Sequence, residues 1–284
     1  MKRHIDLLHG RILRSLTGLA LPIMATSLVQ TAYNLTDMAW IGKVGSSAVA
    51  AVGAAGMYTW FSTGIVTLAR MGGQIKVAHS LGEGETEKAV RYGQGALQLT
   101  IILAVLYALA VLLLADKLIG FFGLTSQKIV WDAQVYLRIT CGLILFPFLN
   151  QTMTGLFTAI GDSRTPFLAN CTGLAVNMAL DPVLIFGMGP FPRMEAAGAA
   201  AATVTAQMIV TLVLAGRAFQ DKVLFDRICL WKKNSLSYFR DIFKLGVPSA
   251  LQSMFYSGIS MVLTKMVASW GDAAIAVQRV GGQV

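Results

Sequence analysis

The sequence predicts an all-α fold: a polytopic membrane helix bundle with a six-helix N-terminal lobe and the first helix of a second, parallel-repeat lobe. Three observations predict it. Apolar residues make up 55% of the 284 and charged residues only 13%, against roughly 25% charged in a typical soluble domain. Seven stretches are free of Asp, Glu, Lys and Arg, most of them near the roughly 20 residues a helix needs to span the hydrocarbon core. The chain also matches itself at a fixed offset.

The seven stretches run Ser15 to Thr36, Gly45 to Ala69, Tyr92 to Ala115, Ile139 to Gly161, Thr165 to Leu180, Ala196 to Gly216 and Leu245 to Thr264. The fifth is short, but it resumes beyond Asp181 as Pro182 to Pro192. Each is apolar on all sides and lacks the period-two alternation of a barrel strand, so seven spanning helices are expected. A cleavable signal peptide fits the basic start (Lys2, Arg3, Arg11, Arg14) but not the long run that follows, nor the six more behind it. In the turn Gly161-Asp-Ser-Arg-Thr-Pro166, Thr165 suits an N-cap and Pro166 the first helical position, with Arg164 paired to Asp162 or to a lipid phosphate. Lys265, near the end of the seventh stretch, is expected to snorkel toward water.

The net charge of +9 is explained by placement. With the N-terminus inside, sixteen Lys and Arg fall in inside segments and five in outside ones. That is a positive-inside bias. It sets the N-terminus in the cytoplasm, makes a bacterial inner (plasma) membrane the expected location, and leaves no place for nucleic acid. Cys141, Cys171 and Cys229 show no CxxC spacing, so neither a disulfide framework nor a zinc site is expected. HExxH, GxSxG and Walker motifs are missing, and the three histidines lie in polar segments. No enzyme, catalytic residue or organic cofactor is expected.

Sliding the chain by 226 residues sets Leu19-Ala-Leu-Pro22 on Leu245-Gly-Val-Pro248, Ser27 on Ser253, Gly45 on Gly271, Ala48 on Ala274 and Ala50 on Ala276. The seventh helix thus repeats the first. An even number of helices separates the copies, so they run parallel about an axis along the membrane normal, as in transporters built from repeats. The organisation read from this is a transport lobe over residues 1–220, a cytoplasmic linker over 221–240, and an incomplete second lobe over 241–284. Roughly five further helices are expected to complete it.

An acid within a span costs on the order of 2.5–3.5 kcal/mol to insert and is a functional candidate by default. Asp181 follows Asn177 by four residues, on one helix face, with Pro182 next to it. The proline displaces the carbonyl of Met178, giving a carboxylate, an amide oxygen and a backbone oxygen together. Hard cations favour such ligands; a proton suits them equally, because a buried carboxylate is costly to keep charged. Asp37 ends a stripe of Gln30, Tyr33, Asn34 and Asp37 at helical spacing. The stripe reads as cavity lining, or as helix-helix hydrogen bonding near the interface. Thr203 and Thr205 add hydroxyls, which also bond within their own helix.

These residues resemble the multidrug and toxic compound extrusion (MATE) family of secondary transporters, in its DinF-like branch. The matching elements are Leu21-Pro22, Asp37 with Trp40-Ile-Gly-Lys-Val-Gly45, the turn Gly161 to Pro166, the Asn177/Asp181-Pro182 group and Gly198-Ala-Ala-Ala-Ala-Thr203. The resemblance implies two six-helix lobes around a cavity that opens alternately to each side. It implies export of drugs or other amphipathic organic compounds in exchange for H+ or Na+. It also implies a cation-coupling group of Asp37, Asn177, Asp181 and Thr203, with any Na+ at the first three, and a substrate cavity at Gln30, Tyr33 and Asn34. Membrane lipid and a small organic substrate are the expected partners, and the full-length protein is expected to be a monomer. No Glu or Asp lies between Leu245 and Lys265, which sets the chain apart from the branch with a glutamate on helix seven. Two alternatives stand beside this: a flippase of lipid-linked precursors, which needs cations in its cavity, and a truncated membrane fragment that transports nothing.

Overall fold

The computed structural model describes residues 12–188, 192–221 and 223–281; Lys2, Arg3 and Arg11 of the basic start lie outside them. Every one of the seven stretches is helical. The helices are α1 (Ile12–Val44), α2 (Ser46–Gly82), α3 (Thr86–Gly120), α4 (Gln127–Gly142), α5 (Leu145–Ala159), α6 (Arg164–Phe186), α7 (Glu195–Ala218), α8 (Leu236–Ala268) and α9 (Asp272–Gly281), with a 3₁₀ turn at Phe225–Arg227.

Among the described residues, four helices, α2, α3, α6 and α7, are long and apolar enough to cross a membrane. The α4–α5 pair, bent by 47°, is apolar enough to count as a fifth if the two helices form one broken span. The fourth run, Ile139 to Gly161, crosses this break and stays apolar on both sides of it. Pro147 sits in the first turn of α5, where its missing N–H has no intrahelical partner to lose. The seven-span reading also counts α1 and α8. Both are 33 residues long, ample for a span.

Helix α2 is the axis of the bundle. From Ala48 to Tyr58 every residue is buried. The run is rich in Ala and Gly, so neighbouring backbones approach closely. α8 packs along α2 more extensively than any other pair, followed by α6 on α7. The α2–α8 seam depends on glycine: a Cβ on Gly72 would overlap the Ile242 carbonyl, and one on Gly246 the Leu68 carbonyl. One buried cluster joins the first half of α2 with α4, the end of α3 and the start of α7. A second joins the end of α2 with the start of α3, α5 and the residues around Phe225. These clusters define the two ends of the bundle. The second lies at the basic end, where the α2–α3, α5–α6 and α7–α8 connections fall.

The internal repeat reappears in the backbone. Gly45, with φ 142°, follows α1, and Gly271, with φ 111°, lies three residues past the end of α8. These are the residues paired by the 226-residue offset, and both hold a conformation that side chains disfavour. The next helices begin in register too, α2 at Ser46 and α9 at Asp272.

Two local expectations need correction. α6 begins at Arg164, so Thr165 is not its N-cap. The capping side chain is Asp162, whose carboxylate accepts the N–H groups of Arg164 and Thr165 at 3.1 and 3.0 Å and the Thr165 hydroxyl at 2.6 Å. A carboxylate reaches the orphan donors of the first turn as well as a threonine does. Lys265 does not simply snorkel: its ammonium stands over the Phe121 ring, 4.2 Å from the centroid.

Candidate functional site

Three helices meet at the acids. α1 presents Gln30, Tyr33, Asn34 and Asp37 at spacings of three and four. α6 presents Asn177 and Asp181 one turn apart, and α7 brings Thr203. α6 runs unbroken through Pro182 to Phe186, which holds Asp181 inside the bundle rather than at a frayed end. Gly187, with φ 72°, then ends the helix.

Burial is nearly complete. Asn177 and Asp181 are 0% exposed and Asp37 8%. The Asn177 amide donates to Asp181 Oδ1 at 3.1 Å. The remaining acceptors of that pair, Asn177 Oδ1 and Asp181 Oδ2, are buried with no donor among the described residues. Buried acceptors of this kind are rare, and each costs roughly 1–3 kcal/mol. Asp37 is the charged neighbour that Asp181 faces. The Tyr33 hydroxyl, itself buried, lies within electrostatic reach of Asp37, Thr203, Tyr136 and Asp181. No lysine or arginine among the described residues pairs with Asp181. Two carboxylates thus share a buried site of oxygen atoms. Such a group can take a proton or a hard cation, and either would relieve the repulsion between the acids.

The structure brings Asp37, Asn177, Asp181, Thr203 and Tyr33 together. It separates Asn34, which is half-buried and accepts a 3.5 Å bond from Gln30 on the helix surface. Gln30 and Tyr33 line a small cleft between α1, α6 and α7, with Asn170 and Gln207 opposite. It has room for about one water. Thr205 bonds the Ala201 carbonyl of its own helix at 2.7 Å, the structural role its type favours.

Sequence reasoning missed Asn170, Gln207 and Asn150. Asn150 donates to the Gln207 carbonyl and side chain at 2.9 and 2.7 Å, and Thr211 donates to Asn150 at 2.7 Å. The spacing offered a signal for two of them. Asn170 precedes Asn177 by two turns and Gln207 follows Thr203 by one, so both lie on the site-facing stripes.

Comparison with known proteins settles the family. The MatE family model matches residues 22–183. The chain belongs to the MatE family. A "Probable multidrug resistance protein NorM" of Thermotoga maritima is 27% identical over 281 residues, covering 95% of this chain and 58% of that protein. A "FAD transporter" of Shewanella oneidensis is 26% identical, covering 97% of this chain and 61% of that protein. Among solved structures, an inward-facing multidrug resistance MATE family transporter of the MOP superfamily aligns with TM-score 0.80 and 26% identity, over 95% of this chain and 60% of that one. A MATE crystal structure in complex with MaD3S aligns with TM-score 0.82 and 27% identity, over 100% of this chain and 63% of that one. The chain therefore spans about three-fifths of the length of the MatE relatives it matches.

Proposed function

We propose that this chain supplies the first lobe, and the start of the second, of a secondary transporter that exports amphipathic organic compounds in exchange for H+ or Na+. Asp37, Asn177, Asp181 and Thr203 hold the coupling ion, and Gln30, Tyr33 and Asn34 face the substrate. The observation that carries this is the pair of donorless buried oxygens, Asn177 Oδ1 and Asp181 Oδ2, beside a second carboxylate. A structural hydrogen-bond network would satisfy its own acceptors.

The mechanism follows from charge. With the ion bound, the acids are neutralised and α1 packs against α6 and α7. With the ion gone, two like charges face each other in a buried site, and the arrangement that separates or hydrates them is favoured. The ion thereby biases the lobe between two states, and substrate binding to one of them couples the fluxes. The N-terminus lies in the cytoplasm of a bacterial cell, with the basic end of the bundle facing inward, in keeping with the sixteen-to-five split of basic residues.

Efflux of a fluorescent organic cation from energised cells lacking their own pumps tests this reading. Three proteins are compared: this chain, the chain completed with a second lobe, and the completed Asp181→Asn variant. Efflux by the completed protein and its loss in the variant are expected. Normal efflux in the variant would remove Asp181 from the mechanism. No efflux from any of them, at normal membrane expression, would move the assignment to the flippase or non-transporting alternatives.

A further inference from the structure

The segment joining α7 to α8 is built into the bundle rather than strung between helices. Asp221 caps the N–H groups of Leu224 and Phe225 at 2.9 and 3.1 Å. Phe225 packs on Phe157 with ring centroids 4.6 Å apart. The segment then climbs the side of α3. That helix receives it on Arg91-Tyr-Gly-Gln-Gly-Ala-Leu-Gln98. Gly93 lets Leu224 and Ile228 approach, and Gly95 makes room for Asn234. Asn234 donates to the Arg91 carbonyl at 2.8 Å. Gln94 donates to the Lys232 carbonyl, and Gln98 to the carbonyls of Leu230 and Lys232 at 2.8 and 3.0 Å. These bonds explain two glutamines within an otherwise apolar run.

They also fix a depth. The apolar run of α3 begins at Tyr92, and Gln98 lies six residues further, roughly 9 Å along the axis. Cys229 to Lys232 is a turn, closed by Lys232 N–H to the Cys229 carbonyl at 3.1 Å. Trp231 stands at its tip, between the two carbonyls that Gln98 holds. So Trp231 is pinned beside the first turns of a spanning helix, yet its side chain is 97% exposed. Leu230 is 42% exposed beside it, and Lys232 and Lys233 are exposed. Over residues 223–244 the cations are Arg227, Lys232, Lys233, Arg240 and Lys244. The acids are Asp226 and Asp241, and Asp241 is engaged by Tyr92 and Lys76.

We propose that the Cys229–Lys232 turn is an interfacial anchor. Trp231 inserts at the boundary of headgroups and acyl chains, and Lys232 with Lys233 binds the phosphates of anionic phospholipids. Tryptophan prefers this boundary because it joins an apolar ring to an N–H donor. Lysines beside a membrane surface gain attraction from anionic lipid. The glutamine tethers hold the ring at that level in advance, so little ordering remains on binding. The inference rests on the membrane-spanning helices and not on the transport reading.

The test is tryptophan fluorescence of the chain in nanodiscs, with the Trp231 signal taken as wild type minus Trp231→Phe. The lipids are phosphatidylcholine or phosphatidylglycerol, each brominated high on the acyl chain. Quenching of Trp231 by both is expected, stronger by about twofold or more in phosphatidylglycerol, with the preference lost in Lys232→Gln/Lys233→Gln. Quenching by aqueous iodide and not by lipid would overturn the proposal, placing Trp231 in water. Quenching by neither would overturn it too, because protein would then cover the ring. Equal quenching in both lipids, or a preference that survives loss of the lysines, would overturn the assignment to anionic headgroups. The Trp231→Phe change removes an exposed side chain, so the fold is retained and the difference signal is defined.

Discussion

Two groups of acids in this molecule are handled in opposite ways. Asp181 is fully buried, faces Asp37, and keeps one carboxylate oxygen without a donor among the described residues. Asp241, at the start of α8, is ringed by donors. Tyr92 donates to it at 2.7 Å and Lys76 lies 3.7 Å away. Tyr92 also packs edge-on against Tyr238, at 4.8 Å between centroids. Asp241 is finished by the protein and acts as a tie between α2, α3 and α8. The Asn177–Asp181 pair beside Asp37 keeps two buried oxygens without a donor among the described residues, and on the proposed reading a transported ion completes it.

The sharpest way to break this contrast is to neutralise the buried acids singly and together in the completed transporter. Asp37→Asn and Asp181→Asn should each reduce ion-dependent efflux to background, and the double variant should be no worse than either. Groups that act as a unit are non-additive in this way. Thermal stability should hold or rise in the singles, since each removes a buried charge. Additive partial losses of efflux would mean that the acids work apart.

The Asn150 network sharpens the contrast from the other side. It is buried, meets α7 one turn beyond Thr203, and is satisfied by Gln207 and Thr211. Asn150→Leu should cost roughly 1–3 kcal/mol by stranding the Gln207 side chain, while efflux in the folded fraction keeps its dependence on the ion. Thermal unfolding in detergent, beside the efflux assay, separates the two effects. A variant that unfolds normally but loses ion dependence would place Asn150 in the coupling group instead.

Much of this could be read in the sequence, for physical reasons that differ by residue. The helices were legible because a bilayer demands long apolar runs. The repeat was legible because glycine at 45 and 271 is required by a positive φ that other residues resist. Asp37 and Asp181 stood out because charge in a span is costly. Contacts between distant segments were not legible. Nothing local says that Gln94 and Gln98 receive carbonyls more than 130 residues away, or that Asp241 meets Tyr92. The polar segment after Ala218 looked like a plain connection because composition does not record docking. The hidden break in the fourth run is similar: Pro147 suits a first turn, but the run on either side is apolar throughout.

Loosening the finished acid should give a smaller effect. Tyr92→Phe and Asp241→Asn should each cost about 1 kcal/mol, the net worth of one partly exposed charge-assisted bond. Both should leave ion-dependent efflux in place. A large loss of efflux from Tyr92→Phe would show that the tie takes part in the transport cycle.

The smallest effect is in the pH dependence of that tie. Asp241 lies ahead of the apolar run that starts at Leu245. The Tyr92 hydroxyl, with Lys76 and Arg240 nearby, holds its carboxyl below the usual carboxylate range, against a weaker opposing effect of partial burial. A group whose folded value is depressed binds its proton more readily when unfolded. Its stabilisation is therefore present above the unfolded value, about 3.9 for aspartate, and is lost as pH falls through the lower folded value. The stability difference between the native chain and Asp241→Asn should be flat from about pH 5 to pH 8 and shrink only below about pH 4. Unfolding midpoints of both proteins across that range measure it. A difference that shrank as pH rose toward 8 would mean that a group other than the Asp241 carboxylate supplies the tie.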